Sequence, residues 1–281
     1  MKNKIDNGLD KKELKDARRR SSPRAAIVYE AIRQEGEEEL GRSAAALVWS
    51  GLAAGLSMGF SFLMEALLGM HLPADDWTPL VSKFGYCIGF IIVILGRQQL
   101  FTENTLTPIL QLLHRKNRHT LGRVARLWGI VLLANLAGAA LFALLMCTMG
   151  QYEPGLHHEL TQIGAKVVSA AFPATLLSAL FAGWMIALMV WLLPVAESGR
   201  VSIIILVTYV VGLGGFAHII AGSVSAGYLL MTGGTSIAEL LVRFLIPTLI
   251  GNIVGGVAFV AAINYAQVNP PGDSEKVNIP V

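Results

Sequence analysis

The sequence predicts an all-helical polytopic membrane protein: six transmembrane helices forming an inverted 3+3 repeat, with two of the six broken. Three observations carry this. The 281 residues are 54% hydrophobic and only 15% charged, with a mean hydropathy of +0.58; soluble domains carry about 25% charged residues. Phe84 to Gly96 reads FGYCIGFIIVILG without a charge, is interrupted by Arg97-Gln98-Gln99-Leu100-Phe101-Thr102-Glu103-Asn104, and is followed by a second apolar piece to Leu113. Thirteen helical residues reach only ~20 Å against a bilayer core of ~30 Å, so the first piece cannot span alone. A polar break at that depth is tolerated where it is packed in protein or lines a cavity. Third, Asn135-x-x-Gly138 and Asn252-x-x-Gly255 repeat the same motif inside apolar segments.

The elements follow in order. Residues 1–42 form a charged N-terminal segment, too short to hold a core. Residues 1–20 have the composition of disordered chain. Ser22-Pro23 reads as an N-cap followed by Pro at the first helical position. Ala25, Val28, Tyr29 and Ile32 then fall at helical spacing, giving a short amphipathic face for the membrane surface or a neighbouring subunit. Arg18-Arg19-Arg20 suits a lipid surface and positive-inside topology rather than nucleic acid. The pore domain, residues 43–265, holds membrane elements at roughly 44–70, 80–113 (broken), 122–149, 166–195, 201–231 (broken) and 237–264. The first apolar run is too long for a cleavable signal and reads as an uncleaved anchor. Residues 266–281 form a polar tail.

Orientation comes from the loops. The segment to Ser43 holds eleven of the 22 Lys and Arg residues, and HRKNRHTLGRVAR holds five more. HLPADDWTPL and GQYEPGLHHELTQ hold none. Basic loops stay inside, so both termini are expected to be cytoplasmic. The net charge of +3 says little as a total. Cys87 and Cys147 both lie in apolar segments and read as small packing residues rather than a disulfide.

The repeat has an offset of 117 between Asn135 and Asn252, which carries Phe101 of the first break onto His218 of the second. Three spans per copy is odd, so the copies must run in opposite directions, with the broken helices meeting near the midplane. His218 lies in VVGLGGFAHIIAGSVSAG between two apolar half-segments. A polar side chain there faces a bundle interior or a cavity, and imidazole exchanges protons near neutral pH. A pore or proton-relay role competes with a plain hydrogen bond to a neighbouring helix; the break and the repeat favour the pore. Thr102 and Asn104 either donate to an anion or satisfy the broken backbone. Gly85, Gly89, Gly212, Gly214 and Gly215 permit unwinding and close approach. Lys166 stands at the expected start of the fourth element, snorkelling or drawing anions to a mouth. Arg97 and Glu103 flank the break and are expected to pair with each other or with backbone groups, or Glu103 tunes selectivity. Gly51-xxx-Gly55-xxx-Gly59 and Gly251-xxx-Gly255 suit tight helix contacts within one protomer. No metal-ligand spacing, phosphate loop, catalytic triad or cofactor motif is present, which argues against an enzyme.

These residues resemble the formate/nitrite transporter family. Leu100-Phe101-Thr102-Glu103-Asn104 is similar to the family's LFTGN loop, and Phe216-Ala217-His218-Ile219-Ile220-Ala221 to its FEHSIAN segment. The two Asn-x-x-Gly motifs and the order of spans match, over about residues 22–265. The resemblance implies an aquaporin-like protomer of six helices in a homopentamer, each protomer with its own pore for small monovalent anions. It makes His218 the central pore histidine and Thr102 the loop threonine, sets Leu100 and Phe101 at or near a constriction, and matches Lys166 to a family lysine. The chain departs at Gln99 and Ala217 (acids in the family), at Glu103 (a glycine), around Ala221 and Gly222 (an Asn), and at Gly183 (an Asn). A carboxylate in the loop would repel anions unless neutralised, with Arg97 the expected partner. Three functions stay open: an anion channel or proton-linked transporter, a pore for small neutral solutes such as water or glycerol, and a non-transporting scaffold that recruits a partner through its N-terminus.

Overall fold

A computed structural model describes residues 24–270. The charged 1–20 stretch, Ser22-Pro23 and most of the C-terminal tail lie outside the described residues. Among those described, all regular structure is helical. Ten helices follow in order: α1 Ala25–Gly41, α2 Ala44–His71, α3 Thr78–Leu95, α4 Thr107–Arg115, α5 Arg118–Tyr152, α6 Pro154–Ser169, α7 Phe172–Val195, α8 Arg200–Leu213, α9 Ile219–Met231 and α10 Ile237–Val268. Five of them (α2, α3, α5, α7 and α10) are long and apolar enough to cross a membrane, while α8 and α9 are shorter apolar helices. α10 passes through π-helical turns at Leu240–Leu245 and Val257–Ala262.

Two bounds differ from the sequence expectation. The first half of the broken second element is longer than the Phe84–Gly96 run. It begins at Thr78 and reaches 18 residues, or ~27 Å of helix. Lys83 lies inside it, its ammonium paired with Glu65 of α2. The fourth element does not begin at Lys166. Ala170 and Ala171 are extended, with ψ of 153° and 156°, and α7 starts at Phe172 with Pro173 in its first turn. A proline ring clashes with the carbonyl four residues back, so α6 cannot run on through Pro173, which fits only a helix start. Residues 154–169 form the separate helix α6, which packs on α9 and α2 and carries Lys166 near its end.

Hydrophobicity gives little drive between helices in lipid, so small residues and close packing hold the bundle. Gly51, Gly55 and Gly59 of α2 lie against Ala134, the Asn135–Gly138 backbone and the Phe142 ring of α5. Gly251 and Gly255 of α10 lie in the same way on Leu176, Ala179, Leu180 and Trp184 of α7. Both glycine rows thus serve contacts within the protomer.

Helix α1 corrects another expectation. Val28, Tyr29, Ile32, Gly36, Glu39 and Leu40 are buried, but the face lies on neither a membrane surface nor a second subunit. It packs on α4 and on the end of α10, with the Tyr29 and Tyr265 rings 6.2 Å apart. Gly36 sits against the Thr107 carbonyl, an approach that excludes a Cβ. Glu39 accepts hydrogen bonds from the Thr107 hydroxyl and from Gln99 Nε2 (3.2 Å). Glu37 accepts from Gln111 at 2.6 Å and pairs with Arg115 and Arg123.

These two carboxyls titrate in opposite directions. Burial pushes Glu39 up to about 7; the Thr107 bond opposes this and the Glu35 charge adds to it. Burial also acts on Glu37, but the Gln111 amide and the Arg115 and Arg123 guanidiniums outweigh it and hold Glu37 below its usual range. A carboxyl raised in the folded state contributes stability that is complete below its unfolded value and is lost as pH rises through the folded value. Between pH 5 and pH 8 the α1 docking is therefore expected to loosen, with Glu37 ionised throughout. Amide exchange of α1, corrected for the intrinsic rate, should be faster at pH 8 than at pH 5.5, and Glu39→Gln should remove most of the difference. Equal protection at both pH values would rule the titration out.

Candidate functional site

The site is built from two chain breaks that close in the same way. After α3, the Gln98 N–H reaches the Val93 carbonyl and the Arg97 N–H reaches that of Ile94. After α8, the Phe216 N–H reaches Val211 and the Gly215 N–H reaches Gly212. Each is a Schellman ending, which needs a left-handed residue just past the helix. Gly215 takes that position at φ 62° at no steric cost, and Arg97 takes it at φ 53° although it is not glycine.

Each break is then held by one buried asparagine. Asn135 of α5 accepts from the Phe101 N–H (2.9 Å) and donates to the Gly51 and Gln99 carbonyls (2.8 and 2.9 Å). Asn252 of α10 accepts from the Ile219 N–H (2.9 Å) and donates to the Ala179 and Ala217 carbonyls (2.8 and 2.9 Å). Ser50 and Ser178 complete the match: their hydroxyls accept from the Gln99 and Ala217 N–H groups, each at 3.0 Å. Phe101 thus corresponds to Ile219, one residue past the expected partner, and His218 corresponds to Leu100. Gly138 and Gly255 lie one turn along from the asparagines, at the close contacts with α2 and α7.

Thr102 of the first break meets His218 of the second, with Thr102 Oγ1 and His218 Nε2 2.8 Å apart. Thr102 is wholly buried and His218 nearly so. His218 also caps α9, its Nδ1 accepting from the Ala221 N–H at 3.2 Å. An amide N–H can only donate, so Nδ1 is the acceptor and Nε2 carries the proton of the neutral ring. Nε2–H then donates to Thr102 Oγ1, which leaves the threonine O–H free to donate elsewhere. The Phe90 ring meets the imidazole edge-on at 5.0 Å.

A cavity opens on either side of this layer. The distal one, away from α1, has a volume of about 190 Å³; its walls include Glu65, Lys83, Tyr86, Lys166, Ser178 and His218. The proximal one, beside α1, has about 430 Å³; its walls include Glu39, Arg97, Gln99, Glu103, Leu193 and Arg200. The Leu100–Thr102 segment links the proximal wall at Gln99 to the distal floor at His218.

The structure distributes the sequence candidates unevenly. His218 and Thr102 come together at the dividing layer. Lys166 is exposed and reaches the distal cavity from α6. Leu100 is buried in the same layer, and Phe101 is turned onto Trp128 of α5, with ring centroids 5.8 Å apart. Asn104 lines neither cavity; it braces the loop, donating to Gln99 Oε1 (3.2 Å) while its carbonyl accepts from Trp128 (2.8 Å). Glu103 faces the proximal cavity without the expected pairing. Arg97 points instead to Glu35 of α1, at 3.0 Å, because its left-handed backbone turns it away from the loop. Gly183 does not stand at a cavity: it lies against the Asn252 backbone, where a Cβ would have no room. Tyr86, Phe90 and the Glu65–Lys83 pair are new to the site. Glu65 is the single charge in α2, and a lone acid in an apolar helix is the signal that could have found it.

Comparison with known proteins agrees with this architecture. The family model described as formate/nitrite transporter matches residues 26–266. Inner membrane protein YfdC of Escherichia coli (strain K12) is 40% identical over 245 residues, 87% of this chain and 79% of that protein. Formate channel FocA of the same strain is 27% identical over 230 residues, 72% of this chain and 78% of that one. Among solved structures, a pentameric formate channel with formate bound superposes with a TM-score of 0.69 at 21% identity, over 80% of this chain and 97% of that one. An FNT family ion channel gives 0.70 at 19%, over 86% and 96%. Both likenesses speak to the fold. With a family model covering nearly all the described residues and a relative at 40% identity, this multi-pass membrane chain belongs to the formate/nitrite transporter family.

Proposed function

We propose that the chain is a channel or proton-linked transporter for small monovalent anions of the formate or nitrite type, with a transport rather than a catalytic role. The observation that carries this reading is the Thr102–His218 hydrogen bond, held at the meeting of two breaks and between two cavities. An anion leaving the distal cavity would be stripped of water among Phe90 and Leu100 and would take the free Thr102 O–H as donor, polarised by the imidazole behind it. A proton taken up by the ring must enter at Nδ1, at the expense of the Ala221 bond.

The matched Schellman endings and Asn clamps support an inverted repeat of six spans, α2–α5 against α7–α10. The pore domain is residues 43–265, the N-terminal segment 1–42 and the tail 266–281, with both termini cytoplasmic in a bacterial inner membrane. A homopentamer fits the family, and exposed apolar side chains such as Trp49, Leu133 and Leu206 suit lipid or a neighbouring protomer. A second reading, a pore for small neutral solutes, is favoured by Glu103, which has no cation at ion-pair distance among the described residues.

The test is pH-dependent flux of formate, nitrite, lactate, hydrosulfide and glycerol in proteoliposomes, wild type beside His218→Asn. Anion flux whose pH profile changes in the variant is the expected result. Anion flux with an unchanged profile would remove His218 from the mechanism, and glycerol flux alone would favour the neutral pore.

A further inference from the structure

The distal cavity holds a partly buried ion pair that the pore reading does not use. Lys83 Nζ donates to Glu65 Oε1, with side chains 22% and 8% exposed, and both line the cavity together with Lys166 and His218. Removing two charges from water costs several kcal/mol, and an apolar pair of similar volume often packs as well or better. The pair is not needed to fix the turn that carries Lys83. Ser61 Oγ already donates to the Tyr86 carbonyl (2.6 Å) and accepts from the Gly89 N–H (3.0 Å). Gly85 also lies directly against the Met64–Glu65 backbone. The two charges face the cavity that an anion must cross.

We propose that Glu65 and Lys83 together determine specificity by fixing the charge of the distal cavity. Two ammonium groups and one carboxylate line it, with His218 neutral, so it carries a single net positive charge, matched to one monovalent anion. Lys83 alone would make it doubly positive, and Glu65 alone, beside Lys166, would leave it neutral. Both side chains act on the approach to the Thr102–His218 layer, and the inference rests on the pore proposed above.

The experiment measures the half-saturation concentration for formate at low ionic strength, with oxalate as a competing dianion, in proteoliposomes of wild type, Glu65→Gln, Lys83→Met, the double variant and Lys83→Arg. Glu65→Gln should lower the formate value severalfold and make oxalate an inhibitor at about tenfold lower concentration; Lys83→Met should raise the formate value about tenfold. The double variant, again with one net positive charge, and Lys83→Arg should both lie within about twofold of wild type. The shifts should shrink as salt is raised. Formate and oxalate values unmoved in Glu65→Gln, or a double variant with the two single effects summed as damage, would overturn the proposal while leaving the pore intact. Lys83→Met leaves Glu65 uncompensated; if it does not fold, Glu65→Gln and the double variant still decide. Absence of Thr102- and His218-dependent flux in the wild type would instead overturn the pore reading, and this inference with it.

Discussion

Replacing Asn252 by leucine is expected to destabilise the protein by about 2–4 kcal/mol, and replacing Asn135 by leucine to do the same. Each side chain satisfies two backbone groups that a break leaves without helical partners, the Phe101 N–H and Gln99 carbonyl for Asn135 and the Ile219 N–H and Ala217 carbonyl for Asn252, and also reaches a carbonyl inside a neighbouring helix, that of Gly51 or Ala179. Leucine keeps the branching at Cγ and leaves no cavity, so the loss is chiefly the desolvation of one N–H and one carbonyl, the mid-helix carbonyl keeping its helical partner. An orphaned buried polar group costs roughly 1–3 kcal/mol, and local relaxation recovers part of the sum. Water cannot repair the deficit, because Asn135 and Asn252 are wholly buried in the bundle. The two variants should be alike because their bond sets are alike. Thermal unfolding in detergent, followed by loss of the monodisperse peak, reads the effect. An exposed apolar position such as Leu133→Ala is the control and should change little. A leucine variant as stable as wild type would mean that the clamps are incidental to the breaks.

The class of the molecule and the places of its breaks were legible because they depend on single residues. A polar run inside an apolar stretch cannot be hidden by context, and a histidine between two apolar half-helices has few uses. The asparagines were legible as a motif, but their partners were not. The likeness of the two breaks reads as one short motif because its parts have different offsets: Asn135 and Asn252 stand 117 apart, the clamped breaks one more, and Ser50 and Ser178 stand 128 apart. The difference arises inside the halves, since Gln99 lies 49 residues after Ser50 but Ala217 only 39 after Ser178. Helix α6 misled the placement of Lys166, since 154–169 runs into α7 without a polar gap and only Pro173 marks the junction. Pairings between distant elements were out of reach. Nothing local tells Arg97 to choose Glu35 over Glu103, because that choice follows from a left-handed backbone and from how α1 docks. The family resemblance offered Phe101 as a residue at or near a constriction, and the Trp128 ring on α5 shows which way it turns.

Thr102→Val is expected to reduce anion flux by about tenfold to a hundredfold while leaving the protein folded, and Thr102→Ser to retain most of it. Valine keeps the shape of the side chain and removes its oxygen. Two things then fail together: His218 Nε2–H loses its acceptor, and the passing anion loses the hydroxyl donor the imidazole was polarising. A hydrogen bond to a charged group is worth about 1.5–3 kcal/mol, which corresponds to that range in rate if the bond is made at the barrier. Stability should suffer less than in the asparagine variants, because one side-chain donor is orphaned rather than two backbone groups. Serine restores the hydroxyl without the methyl, so rescue by serine separates the chemistry from the packing. The comparison with His218→Asn makes the test sharper. If the pair works as a unit, the double variant Thr102→Val with His218→Asn should be little worse than either single one, whereas independent roles would multiply the two losses. Formate flux in proteoliposomes, normalised to reconstituted protein, reads all four combinations. Undiminished flux in Thr102→Val would mean that the anion crosses the layer without meeting this hydroxyl, and the contact between the two breaks would then be a brace between repeats rather than the selective point of the pore.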